Sequence, residues 1–145
     1  MPRTSFEELR VYRLAEKRAD EIWAVVVGWD QFARATVGRQ VVRTADSIGA
    51  NIAEGTGRGS FQDNRRFVRN ARASLNETTH WLRRAHSRKL LTPQATARIK
   101  PLIDELAPKL NPYWRSIGSL PGTTAETVPL GTTDNGLRTT DDVKS

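Results

Sequence analysis

Cysteine is absent from the 145 residues. Neither a disulfide framework nor a thiolate zinc site can therefore be built, and a reducing compartment, the cytoplasm, is the expected setting. The two histidines, His80 and His86, lie six residues apart. That spacing puts them on different faces of a helix rather than at the three- or four-residue interval of a metal pair. No apolar run reaches the length of a membrane span, and the stretch Met1-Pro2-Arg3-Thr4-Ser5-Phe6-Glu7-Glu8 lacks the apolar segment of a signal peptide. Strand alternation, internal repeats, a Ser/His/acid grouping and a cofactor fingerprint are missing too. The expectation is a soluble protein that is no enzyme, holds no metal or cofactor and does not enter a membrane.

What is abundant is positive charge, unevenly spread. The formal net charge is +7, but the first 120 residues hold 21 basic and 12 acidic residues, a net of +9, and 18 of the 23 basic residues are arginines. Arginine presents a planar fork of donors that matches phosphate. Such a body favours a polyanionic partner, while saying nothing about fold.

The apolar pattern reads as all-α, an up-and-down four-helix bundle over residues 1–120. Residues 121–145 have seven threonines, three glycines and few large apolar side chains, which predicts a disordered tail. Ser5-Phe6-Glu7-Glu8 has capping-box spacing ahead of a first helix running to about Gly28, with the stripe Leu9, Tyr12, Ala15, Ala19, Ile22 and Val26. Ile22 to Val27 is apolar without interruption, as suits either a subunit interface or a thoroughly buried helix end. The second helix is placed at about Ala35 to Glu54, with Val37, Val41, Ala45, Ile48 and Ile52 inward. The glycines of Gly55-Thr56-Gly57-Arg58-Gly59 are expected to end it in the left-handed conformation. Ser60 and Asp63 form the next capping pair. Val68, Ala71, Leu75, Thr78, Leu82 and Ala85 then repeat in the 3.5-residue rhythm of a bundle seam. Thr92-Pro93 opens a fourth helix with Ile99, Leu102 or Ile103, Leu106, Leu110 and Ile117 inward. Pro101, Pro108 and Pro112 should kink or segment it, and Asn111-Pro112 reads as a restart.

Opposite the third helix's seam lies a sector holding Arg65, Arg66, Arg69, Arg72, Arg83 and Arg84, with Asp63 and Glu77 outside it. At 1.5 Å per residue the row extends about 28 Å. Arg39 and Arg43 on the second helix can widen it. Solvated charge runs are common, yet arginines three and four residues apart repel one another, and a polyanion relieves that repulsion. Aromatic residues are sparse along this face, so contact with a nucleic-acid backbone is expected rather than base stacking. The glycine-rich Gly55 to Ser60 stretch follows a helix rather than a strand and lacks a Lys-Ser/Thr ending, so it reads as a helix stop and tight turn. Glu54 reads as a salt bridge or cap through Arg58 or an amide.

Ser47-Ile48-Gly49-Ala50-Asn51-Ile52-Ala53-Glu54-Gly55-Thr56-Gly57-Arg58-Gly59-Ser60 resembles the helix 2 to helix 3 signature of the bacterial four-helix bundle family associated with 23S rRNA intervening sequences. Phe6-Glu7-Glu8-Leu9, Gln40, Arg43, Phe67 and Ala71-Arg72-Ala73-Ser74-Leu75-Asn76-Glu77 add to the likeness, which covers about residues 5–120. The resemblance implies a left-handed up-and-down bundle that assembles as a ring-like homopentamer. It also implies kinship with the accessory variability determinant of diversity-generating retroelements, a basic bundle that binds RNA and its reverse transcriptase. A protein-interaction scaffold of that second kind is the alternative to a nucleic-acid binder. Two features depart from the family pattern: Ala73 stands where glycine is usual, and the fourth helix is rich in proline. Within this frame Ser47, Asn51 and Glu54, at steps of four and three, form a polar ladder, and together with Gly55, Gly57, Arg58 and Ser60 they make a structural motif.

Overall fold

The computed structural model describes residues 9–110 and residue 117, all in helices and their connections. The Ser5–Glu8 box, the Asn111-Pro112 restart and the tail lie outside the described residues. Four helices form an antiparallel bundle. Helix α1 is Arg10–Val26. Helix α2 runs as Gln31–Ala33, a π-helical turn Arg34–Gly38 and Arg39–Thr56. Helix α3 is Phe61–Ser87, and α4 is Pro93–Pro101 continued by a π-turn Leu102–Leu106 as far as Leu110.

The core follows the expected stripes closely. All six seam residues of α3 are buried, as are Val37, Val41, Ala45, Ile48 and Ile52 of α2. On α1, Val11 takes the inward place given to Tyr12, while Leu9 and Tyr12 pack half-buried against the core. Tyr12 lies instead over Gly49, where a Cβ would sit 3.5 Å from its ring, and its hydroxyl donates to Glu16 at 3.2 Å. Ile22 and Val26 are buried, yet Trp23 and Val27 between and after them are exposed. The apolar end of α1 is therefore only partly covered.

Helix starts follow side-chain chemistry. The Ser60 hydroxyl accepts from the Asp63 amide at 3.1 Å, and that of Thr92 accepts from the Ala95 amide at 3.0 Å, ahead of Pro93. Helix α2 begins earlier than expected because Asp30 caps it, accepting from the Ala33 amide at 3.1 Å. The added turn joins the main helix through the π-turn. There the Thr36 hydroxyl donates to the Phe32 carbonyl at 2.8 Å, and Gly38 lets Val26 approach so closely that a Cβ would lie 2.7 Å from its Cγ1. Pro101 does not break α4: the chain widens into π geometry just after it, a known way of absorbing a lost helical donor.

Two helix ends differ from expectation. Gly57 caps α2 at φ −84°, in the right-handed region, so no left-handed glycine is used there. The glycine that matters is Gly55, where a Cβ would meet Asn64 Oδ1 at 2.5 Å, Phe67 Cβ at 3.1 Å and the Asn64 carbonyl at 3.2 Å. It permits close approach of α2 to α3. Helix α3 ends in a Schellman motif, with the Leu90 amide on the Ala85 carbonyl at 2.9 Å and the Lys89 amide on that of His86 at 3.0 Å. Its left-handed position is Lys89, at φ 61°.

Helix α4 is tied to α1 by Arg18, whose side chain is 11% exposed. It donates to Glu21 at 2.7 Å and to Glu105 of the π-turn. The hydrogen bond from Arg18 holds the Glu105 carboxyl below the usual carboxylate range. A lowered carboxylate pKa contributes stability at neutral pH that is lost as pH falls through the shifted value.

Gly55→Ala is expected to destabilise the fold by about 1–3 kcal/mol through overpacking, whereas Gly57→Ala, with only the Glu54 carbonyl at 3.6 Å, should be neutral or slightly stabilising; urea melts of both variants separate close packing from turn geometry. Lys89→Gly should stabilise by roughly 0.5–1 kcal/mol by removing left-handed strain, read as a rise in Tm. Acidification below about pH 4 should lower the Tm of the wild type more steeply than that of Glu105→Gln, which has no proton to gain; parallel Tm-against-pH curves would exclude the Arg18–Glu105 tie as the acid-labile link.

Candidate nucleic-acid interface

Helix α2 packs more extensively against α3 than any other helix pair does, and hydroxyl contacts set the register. Thr44 and Thr78, both buried, lie 3.0 Å apart, with the Thr78 hydroxyl donating to Thr44 and that of Thr44 donating to the Gln40 carbonyl at 3.0 Å. One turn on, Ser47 meets Ser74 at 2.9 Å, and Asn51 donates to the Ser47 carbonyl and hydroxyl at 2.9 and 3.0 Å. The Thr78 hydroxyl also reaches the Ser74 carbonyl of its own helix at 2.8 Å, so slipping this register would lose the hydroxyl contacts between the helices without leaving either threonine unpaired. Ser47 and Asn51 thus sit together between the helices. Glu54 does not extend the ladder: it turns outward to accept from Arg58 at 2.6 Å and ties the turn.

The turn also organises Phe67. The guanidinium of Arg58 lies 4.6 Å from its ring centre and that of Arg66 4.7 Å, two cation–π contacts on one ring. Arg66 is in addition 3.6 Å from Asp63. Gly55, Gly57, Arg58 and Ser60 thereby have packing, capping or tethering tasks at this end of the bundle.

The eight arginines singled out from the sequence do not form one uniform row. Arg39, Arg43, Arg66, Arg69 and Arg83 are exposed, while Arg65, Arg72 and Arg84 are half-buried. Arg43 is paired across the α2–α3 groove with Glu77 at 2.9 Å, and that carboxylate also accepts from the Trp81 indole at 3.3 Å. Glu77, outside the basic sector on α3 itself, thus reaches a cation of α2. Arg65 donates to the Ile117 carbonyl at 2.6 Å, linking α3 to the chain beyond α4. Arg39, Arg69, Arg83 and Arg84 make no ion pair among the described residues.

Along α3 no Lys or Arg occurs between Arg72 and Arg83, a gap of about 16 Å at 1.5 Å per residue. The antiparallel register, Thr44 opposite Thr78 and Arg43 opposite Glu77, carries Arg39 to the level of the Arg83–Arg84 end. Two cationic clusters result: Arg65, Arg66, Arg69 and Arg72 near the start of α3, and Arg39, Arg83 and Arg84 near its end. His80 and Trp81 stand at the second, in edge-to-face contact with ring centres 4.9 Å apart. Among the described residues no group of three His, Cys, Asp or Glu is placed to hold a metal, and no helix is long and apolar enough to cross a membrane.

Sequence reasoning passed over Thr44 and Arg18. Thr44 neighbours the inward Val41, Ala45 and Ile48, but a hydroxyl there can be recognised as buried only once its partner is known. Arg18 lies between Ala15 and Ile22 on the edge of the α1 stripe, and its charge disguised its burial.

A comparison with curated proteins finds no match to this chain. The family model described as 23S rRNA-intervening sequence protein matches residues 7–112, which include α1, α2, α3, α4 and the whole ladder and turn. With that match over most of its length, and with the signature residues occupying the α2–α3 contact and turn, the chain belongs to the 23S rRNA-intervening sequence protein family.

Proposed function

We propose that the protein is a non-enzymatic, self-associating bundle of the cytoplasm that binds RNA through its phosphate backbone, using the arginines of α3 and the adjoining part of α2. One observation carries the reading: Arg39, Arg69, Arg83 and Arg84 find no carboxylate among the described residues, in a chain whose formal charge is already +7. Unrelieved like charges along a helix cost stability, and a polyanion relieves them. Membership of a family described by an intervening sequence of 23S rRNA supports RNA over other polyanions.

The arrangement also says what kind of contact to expect. Phe67 already packs against two guanidiniums, and Trp81 is half-buried with its indole N–H on Glu77. Neither ring is a ready platform for a base. Binding is then to backbone, with strong salt dependence and little sequence preference.

Arg69→Ala/Arg83→Ala/Arg84→Ala is the informative variant, because none of the three is committed to an ion pair within the chain. Its RNA affinity should fall at least about tenfold near 0.1 M salt, and the slope of log K against log salt should lessen by roughly 2. Helical circular dichroism should be unchanged. Affinity and slope equal to those of the wild type would remove these arginines from the function.

A further inference from the structure

Ile117, the last described residue, is buried, and its carbonyl accepts from Arg65 at 2.6 Å. Residues 118–145 therefore begin beside the first arginine of the α3 cluster. Arg83 lies eighteen residues beyond Arg65, five whole turns along the same side of α3. The charge of the segment is opposite to that of the surface on which it begins. Residues 118–137 contain Glu126 and Asp134 and no Lys or Arg, and Arg138, Asp141, Asp142 and Lys144 follow. Four carboxylates against two cations give a net of −2, where the first 120 residues carry +9. The segment also lies beyond residues 7–112, over which the family model matches, so family membership says nothing about it.

Cations without ion pairs occur on other helices, and position and neighbours select among them. Between α1 and α4, Arg13, Lys17 and Arg98 line a shallow groove together with Glu16, Asp20 and Glu21. Carboxylates of the bundle already lie among those cations. On α3 the only carboxylates are Asp63 and Glu77, which face Arg66 at 3.6 Å and Arg43 at 2.9 Å. Arg69, Arg83 and Arg84 have none among the described residues. Length permits the contacts. Along the helix axis Arg69 is about 6 Å and Arg83 about 27 Å from Arg65. Glu126 follows Ile117 by nine residues and Asp141 follows it by twenty-four, reaches of at most about 30 and 80 Å. Attachment at Arg65 holds these carboxylates near the arginines at an effective concentration on the order of millimolar.

We propose that residues 118–145 dock on the arginine face of α3 and there compete with RNA, as an acidic occupant carried by the chain itself. Competition rests on the RNA-binding reading above; docking does not. Exposed carboxylate–guanidinium pairs are individually weak and are screened by salt. The segment therefore lowers RNA affinity without abolishing it. RNA that displaces it frees carboxylates, which take up counterions again, so the net release on binding, and with it the salt slope, is smaller than for a chain without those acids.

The test compares the full chain with its variant Glu126→Gln/Asp134→Asn/Asp141→Asn/Asp142→Asn, which alters no described residue. For docking, both receive Thr140→Cys, the sole cysteine of the chain, carrying a nitroxide spin label. At low salt and without RNA, the label on the acidic segment should broaden amide resonances around Arg69 and Arg83 more than those around Arg13 on α1. That preference should vanish in about 0.5 M salt and in the neutralised variant. For competition, the unlabelled neutralised variant should bind an RNA of mixed sequence at least about threefold tighter near 0.1 M salt, with a steeper salt slope. Broadening without preference for α3 overturns docking, whatever the RNA result. Selective broadening with equal RNA affinity of the two forms overturns competition. If neither form binds RNA, the proposed function fails and competition with it, while the broadening decides docking by itself.

Discussion

The rest of the molecule depends on how closely α2 approaches α3. At one end Gly55 leaves no room for a side chain between α2 and Asn64; further along, Thr44 with Thr78 and Ser47 with Ser74 join hydroxyls across the contact. An apolar seam alone tolerates sliding, because one branched side chain fills a gap much as another does. Hydroxyl pairs are more directional: Thr44 and Thr78 keep carbonyl partners on their own helices, but sliding would lose the Thr44–Thr78 and Ser47–Ser74 contacts between them. The register set in this way puts Arg43 beside Glu77 and Arg39 at the far end of α3. The distribution of cationic groups on the surface is thus a consequence of a polar contact inside it.

Much of the negative charge is taken up in ties within the bundle. Glu54 on α2, Asp63 and Glu77 on α3 and Asp104 on α4 serve as internal ties, fastening Arg58, Arg66, Arg43 and Lys100, while Arg18 is held between Glu21 and Glu105. The carboxylates left over lie on α1, α2 and the turn between them, while arginines without ion pairs among the described residues occur on every helix: Arg10 and Arg13 on α1, Arg34 and Arg39 on α2, Arg69, Arg83 and Arg84 on α3, and Arg98 on α4. Exposed ion pairs contribute little to stability, so the arginines left without them bear on recognition more than on folding.

Periodicity made the α2 and α3 core stripes legible, because burial of one helical face leaves a three- and four-residue imprint that no other structure produces. Ser60 and Thr92 were legible as caps for an equally local reason. The first turn of α2 was not, since Asp30 follows an apolar run that looks like part of α1, and a π-turn leaves no mark in a pattern read at 3.6 residues per turn. The left-handed residue lies at Lys89, not in the glycine-rich turn. Gly55 was noticed for conformational freedom and is used for its lack of a Cβ.

From the amino-acid order alone came the all-α class, the α2 and α3 stripes, two of the caps, the arginine-rich composition and the family, because each is written within a few consecutive turns of chain or in a contiguous signature. Tertiary structure decided which charges remain available. It spent Arg43 on Glu77, Arg65 on the Ile117 carbonyl and Arg18 on Glu105, and left Trp23 and Phe32 uncovered. Those outcomes join residues tens of positions apart or depend on what fails to arrive over a surface, and the spacing along one helix carries no record of either.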